Sequence, residues 1–165
     1  MTLPQPRYLF LLILLGCLTL LSSAIFVEPF KSMDPCPMCM MQRWVFSAIG
    51  IFALIAILHN AEFIGQKIYA GTLAVFSMIG AGVAARQLWL QSLPEEQVPA
   101  CGPGIDYMLE VFPILEVIEM AIRGTGDCAK VQWTFLNLSI PGWSLIAFIG
   151  MTFIALSVLF KKRAK

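Results

Sequence analysis

The residues best suited to chemistry lie in Asp34-Pro35-Cys36-Pro37-Met38-Cys39-Met40-Met41-Gln42-Arg43, where a Cys-x-x-Cys pair opens a long apolar run. Two thiols at this spacing close a small-loop disulfide that is readily reduced and reformed. This holds above all where one thiolate sits at a helix N-terminus, held by backbone N–H groups and the helix dipole. Pro35 and Pro37 stiffen the start of that helix, because proline suits a first turn and is disfavoured further in. Arg43 follows Cys39 by four residues. On a helix the two project from one face about a turn apart, which sets a permanent cation beside a candidate thiolate. The plainer alternative is a pair of buried cysteines followed by an arginine that snorkels to the lipid headgroups.

The elements that must position these groups are membrane helices. The chain has 165 residues, of which 59% are apolar and 13% charged, a composition too greasy for an ordinary soluble domain. A net charge of +1, without any basic aromatic patch, argues against nucleic acid. Residues 8–27 carry no charge and are long enough to cross a hydrocarbon core of roughly 30 Å. A cleaved signal peptide, with Arg7 as its basic end and Ser22-Ser23-Ala24 as its small-residue site, is the rival reading. The apolar run, however, continues through Ile25, Phe26 and Val27. Cys17, inside this span, reads as a small packing residue. A polar link over 28–36 leads to a second span over about 37–58, with Arg43 as its only charge. The turn over 59–67, which holds the lone His59 as a solvated residue, is short enough to require antiparallel neighbours. A third span over about 68–90 contains Gly71, Gly80 and Gly82, small residues that let membrane helices approach closely. Arg86 stands near its exit, where it either snorkels or joins Arg43 in lining a polar pocket. A fourth span covers about 143–160.

Between the last two spans the composition changes, and residues 91–141 hold seven of the ten acids together with Cys101 and Cys128. Pro94, Pro99, Gly102, Pro103 and Gly104 put Cys101 on an irregular, exposed loop. Residues 105–122 read as an amphipathic helix. Met108, Val111, Ile114, Leu115, Ile118 and Ile122 form one face, and Asp106, Glu110, Glu116 and Glu119 the other. Pro113 should bend it, and it lies either on the membrane surface or against the loops of the bundle. Gly124-Thr125-Gly126-Asp127-Cys128 then presents the second loop cysteine, and Trp133 and Trp143 suit the membrane interface. The chain ends Lys161-Lys162-Arg163-Ala164-Lys165, a cytoplasmic mark under the positive-inside rule. With four spans both termini are cytoplasmic and both cysteine pairs lie outside. In a bacterium that side is the periplasm, which is kept oxidising. The expected fold is therefore a single all-α membrane domain over 1–165. It is a four-transmembrane-helix bundle with a short amphipathic helix in the long periplasmic loop.

Four outward cysteines serve either as static staples or as a relay, and three pairings are formally open. Zinc is disfavoured because the second pair lacks close ligand spacing and no histidine lies on that side. The loops offer little core for structural disulfides to hold. One pair at the membrane face and another on a loop suit a relay between a soluble partner and something dissolved in lipid.

Several features together resemble the bacterial disulfide bond formation protein B family over nearly the whole chain. They are Cys36-Pro37-Met38-Cys39 with Arg43, Cys101 and Cys128 bracketing an amphipathic helix, and Gly126-Asp127-Cys128-Ala129 followed by Gln132-Trp133. The resemblance implies a quinone-linked thiol oxidase of the bacterial inner membrane, in a periplasm whose DsbA–DsbB–quinone route is taken as known background. It implies resting disulfides Cys36–Cys39 and Cys101–Cys128, with a transient Cys36–Cys128 bond. Cys101 would meet a periplasmic thioredoxin-fold dithiol oxidase of the DsbA type. Cys39 and Arg43, with Arg86 as a further candidate, would face ubiquinone or menaquinone from the membrane quinone pool, and no metal is implied. Gln42 stands where relatives often have a carboxylate, and Met41 where an aromatic occurs. Two other functions remain in view at this level: a paralogue dedicated to one substrate, and a non-catalytic membrane scaffold with structural disulfides.

Overall fold

The computed structural model describes residues 6–31, 36–60, 62–100, 105–131 and 133–161. Cys101, the Asp34-Pro35 lead-in, Gln132 and the tail over 162–165 fall outside them. The elements run α1 (Pro6–Lys31), α2 (Pro37–His59), α3 (Phe63–Gln91), α4 (Ile105–Val111), α5 (Ile114–Arg123) and α6 (Gly126–Ala129). A hairpin of β1 (Thr134–Phe135) and β2 (Leu138–Ser139) follows, and α7 (Ile140–Leu159) closes the chain. Among the described residues four helices are long and apolar enough to cross a membrane: α1 over Pro6–Phe26, then α2, α3 and α7. The protein is thus an all-α, multi-pass membrane protein. In hydrocarbon a backbone must satisfy its own polar groups, which a continuous helix does.

The spans are largely apolar, and their inner faces combine large and small apolar residues with a few polar ones, Gln42, Ser77, Gln87 and Ser144. Phe10, Ile13 and Cys17 of α1, Ile49 and Ala53 of α2, Leu73 and Ala74 of α3, and Met151 and Ala155 of α7 are buried together. Leu12, Leu15, Ile51, Leu58, Ile79 and Phe153 are exposed and face outward. Such a surface would be an aggregation hazard in water and is at home in lipid. The α3–α7 interface is the most extensive. At its centre Phe148 stacks on Phe46 of α2 with centroids 4.0 Å apart and planes 7° from parallel. Gly80 makes that possible, since a Cβ there would lie 2.5 Å from Phe148 Cζ, whereas one on Gly82 would meet nothing within 4 Å. Of the small residues of the third span, then, Gly80 gives α7 its close approach and Gly82 does not. Cys17 packs in this core with its Sγ 3.9 Å from Met151 Sδ.

Several boundaries differ from the sequence expectation. The third helix starts at Phe63 rather than Ile68, with Gln66 N–H donating to Glu62 O at 2.9 Å. Gln66 and Lys67 break the apolar run but are good helix formers, so the helix persists through them. Asn60, left-handed at φ 42 and ψ 45, ends α2. The connection to α3 is therefore shorter than 59–67. His59 is exposed and shares a 2.9 Å hydrogen bond with the Tyr69 hydroxyl. The expected amphipathic helix is two helices, because Pro113 starts α5 instead of bending one rod. Proline removes an N–H and pushes the residue before it out of helical geometry. Val117 and Ala121 of α5 are buried, and α5 touches α2, while Ile114, Leu115, Ile118 and Ile122 stay exposed. The helix therefore both docks on the bundle and leaves an apolar stripe uncovered. The hairpin was not foreseen: Leu136 and Asn137 take φ of 51° and 62° between β1 and β2, as a two-residue turn requires.

Candidate thiol site

Cys36 precedes the first turn of α2 in an extended conformation, and its Sγ accepts the Cys39 N–H at 3.2 Å. It therefore occupies the capping position usually held by Ser, Thr, Asp or Asn. Pro37 at the first helical position has no N–H to leave unsatisfied. Cys39, one turn on, is half-buried, whereas Cys36 is buried.

The end of α3 supplies a group not singled out from the sequence. Gln87 Nε2 donates to Cys36 Sγ and to Cys39 Sγ, both at 3.2 Å. Its Oε1 accepts from Gln42 Nε2 at 2.8 Å, and Gln42 and Gln87 are both buried. An amide pair between membrane helices is worth about 0.6–2 kcal/mol as a packing device. Two buried amides at one depth in otherwise apolar spans were the available signal, but their meeting depends on the relative rotation of α2 and α3.

Cys128 enters from α6, fully buried against Cys36, Met38 and Leu90. The Cys36 thiol donates to its sulfur, and backbone N–H groups of Met38 and Thr125 add to this against the opposing effect of burial. Together they bring Cys128 down from an ordinary 9.0 to about 6. Cys36, the donor to Cys128 and in contact with Cys39, is correspondingly pushed up. The proton thus rests on Cys36 and the charge on Cys128. Gly124 allows α6 to come this close: at φ 84 it takes a backbone conformation that other residues rarely adopt, and any Cβ would run into the Leu90 side chain. Gly126 N–H donates to Ala100 O at 3.2 Å, which ties the Cys128 segment to the residue just before Cys101.

The structure brings Cys36, Cys39 and Cys128 together as free thiols, whereas Cys17 is a free thiol in the core. Arg43 is half-buried one turn beyond Cys39, with Nη1 3.9 Å from Met40 Sδ. Arg86 lies elsewhere: its guanidinium stacks over Trp89 at 4.2 Å and donates to Arg123 O, at the end of α5, at 3.5 Å. A cleft of about 20 Å³ opens at Cys36, Cys39, Gln87 and Gln91 and is walled by Ser139 and Pro141. Ser139 Oγ donates to Gln91 Oε1 at 2.8 Å, so the hairpin is fastened to the end of α3 beside the thiols. Three sulfurs gathered at one place, with the thiolate form favoured at Cys128, are arranged for thiol–disulfide exchange, which proceeds by thiolate attack on a neighbouring sulfur.

Fold and site together define a multi-pass helical membrane protein with a thiol centre at one end of its bundle. The family model of the disulfide bond formation protein DsbB matches residues 6–158. Curated proteins named disulfide bond formation protein B are similar over most of their length. The one from Hahella chejuensis is 52% identical over 146 residues, 88% of each chain. The one from Marinobacter nauticus is 47% identical over 156 residues, covering 94% of this chain and 93% of its own. A third, from an Azoarcus species, is 43% identical over 159 residues, covering 96% and 95%. The chain belongs to the DsbB family, whose members are disulfide bond formation proteins, and so has a redox function in disulfide bond formation.

Proposed function

We propose that this chain is a membrane thiol:quinone oxidoreductase that reoxidises a periplasmic dithiol oxidase of the DsbA type. It would work in the bacterial inner membrane with both termini cytoplasmic and its cysteine pairs periplasmic. The observation that carries this reading is the contact of Cys128 with Cys36, with Cys39 one turn further along the same helix. In the resting enzyme Cys101 pairs with Cys128 and Cys36 with Cys39. A partner thiolate attacks Cys101 and releases Cys128. The Cys128 thiolate then attacks Cys36, forming the Cys36–Cys128 bond and releasing Cys39 as a thiolate. Each exchange forms one S–S bond and breaks one. The Gly126–Ala100 hydrogen bond supports the first pairing, because it holds the Cys128 segment beside the chain that leads into Cys101.

The residues near Cys39 fit a quinone by the chemistry of their donors. The Arg43 guanidinium, one turn beyond Cys39, offers N–H groups of the kind that carbonyl oxygens accept, beside a sulfur that offers electrons. A quinone, when bound, supplies the acceptor for two electrons and two protons. Cys39 and Arg43 would hold it. Arg86, whose guanidinium is engaged by Trp89 and Arg123 O, would contribute positive charge rather than a direct contact. Reduced partner and quinone mixed with the purified protein should yield quinol. Cys39→Ser and Cys101→Ser should each stop production, and Cys17→Ser should leave it intact. Silence in the wild type, with Cys39→Ser costing only stability, would instead make the chain a scaffold.

A further inference from the structure

We infer that Gln87, held in orientation by Gln42, sets the redox equilibrium of the Cys36–Cys39 pair by donating one N–H to each sulfur. An amide nitrogen carries two hydrogens, and here both are directed at sulfur, to Cys36 and to Cys39 at 3.2 Å each. The opposite end of the amide is held as well, since Gln87 Oε1 accepts from Gln42 Nε2 at 2.8 Å. With Gln42 as donor the Gln87 oxygen points away from the sulfurs, whereas a flipped amide would turn that oxygen toward them and repel any charge there. With both glutamines buried, water does not compete for these bonds. Gln87 thus touches the sulfurs, whereas Gln42 is a positioning residue that acts through it.

Hydrogen bonds to charged acceptors are roughly twice as strong as those between neutral groups. The sulfurs of a disulfide are neutral, whereas the reduced pair carries a thiolate in the exchange sequence above. Gln87 therefore stabilises the reduced pair more than the oxidised one and makes the pair a stronger oxidant. A device that only packed α2 against α3 would alter stability and leave this equilibrium where it was.

The inference rests on the relay reading, and one titration separates their fates. The full-length protein carrying Cys101→Ser and Cys128→Ser, which isolates the pair, is equilibrated in detergent with mixtures of reduced and oxidised glutathione. The fraction oxidised is read by thiol alkylation and mass. In this reaction the Cys36–Cys39 disulfide takes two electrons from two glutathione thiols, giving two protein thiols and one glutathione disulfide. Gln87→Met, of similar length and without a donor, should move the equilibrium about tenfold toward the disulfide, about 30 mV for a two-electron couple. Gln42→Met keeps the Gln87 donor, frees its orientation, and should move the equilibrium the same way by about threefold. This milder variant decides the matter if Gln87→Met fails to fold. Variant curves that superimpose on a wild-type curve showing exchange would overturn the inference and leave the relay standing. A pair that never cycles in the parent protein would remove the relay, and the inference with it.

Discussion

The neighbours of Cys128 favour its thiolate form, and its ionisation is linked to folding. Its value in the folded, reduced chain, about 6, lies below the ordinary 9.0. Its contribution to stability is therefore complete above 9.0, shrinks as the pH falls, and is gone below about 6. Cys36, shifted upward, acts only above the ordinary thiol value and does not oppose this trend. The Cβ resonance of labelled Cys128 should titrate with a midpoint near 6 in the reduced protein. Cys36→Ala should raise that midpoint toward 9.0 by removing its leading cause, and an unmoved midpoint would mean that Cys36 is not the donor. Thermal stability of the reduced wild type should likewise fall on acidification through this window. At this scale spacing alone singled out Cys36, Cys39 and Arg43 in the sequence. It did not reveal Gln87, whose partners lie 51 and 48 positions away.

Among the elements, the contact of α3 with α7 is set by a missing side chain. Gly80→Ala would drive a methyl group into the Phe148 ring, itself stacked on Phe46, and should cost about 1–3 kcal/mol in thermal unfolding in detergent. Gly82→Ala, with open space around it, should stay within about 0.5 kcal/mol. Equal costs would show that the two glycines act through backbone flexibility and not through this contact. Hydropathy located all four spans because a membrane helix must be apolar along its whole length. It misplaced the start of α3 because it measures polarity, whereas helix continuation depends on backbone hydrogen bonds, here Gln66 to Glu62. The hairpin escaped for a related reason. Asn137 suits a positive φ but Leu136 does not, and the turn is held by strand pairing together with the docking of Ser139 on Gln91 and of the Trp143 indole N–H on Phe135 O.

The whole molecule is asymmetric along the membrane normal. The start of α2, the end of α3, α6 and the start of α7 gather around the thiols, while the α2–α3 connection lies at the other end. In a Cys101→Ser background, cysteines introduced at the exposed Tyr107 and Leu136 should react with an impermeant maleimide in intact spheroplasts. One introduced at Glu62 should react only after lysis. Labelling of Glu62→Cys in intact cells would invert the proposed topology and deny the thiols a periplasmic partner.

Composition and spacing were enough to establish a four-span membrane protein with a Cys-x-x-Cys pair at the head of its second helix. Both are local properties, since one needs only a continuous apolar run and the other only four consecutive residues. Tertiary structure alone decided that Cys128 lies against Cys36, that Gln87 bridges Cys36 and Cys39, and that Arg86 reaches the end of α5. Those contacts depend on how the helices are rotated and stacked. Such packing is fixed by the fit between residues far apart in the chain, as where the bare backbone of Gly80 admits Phe148.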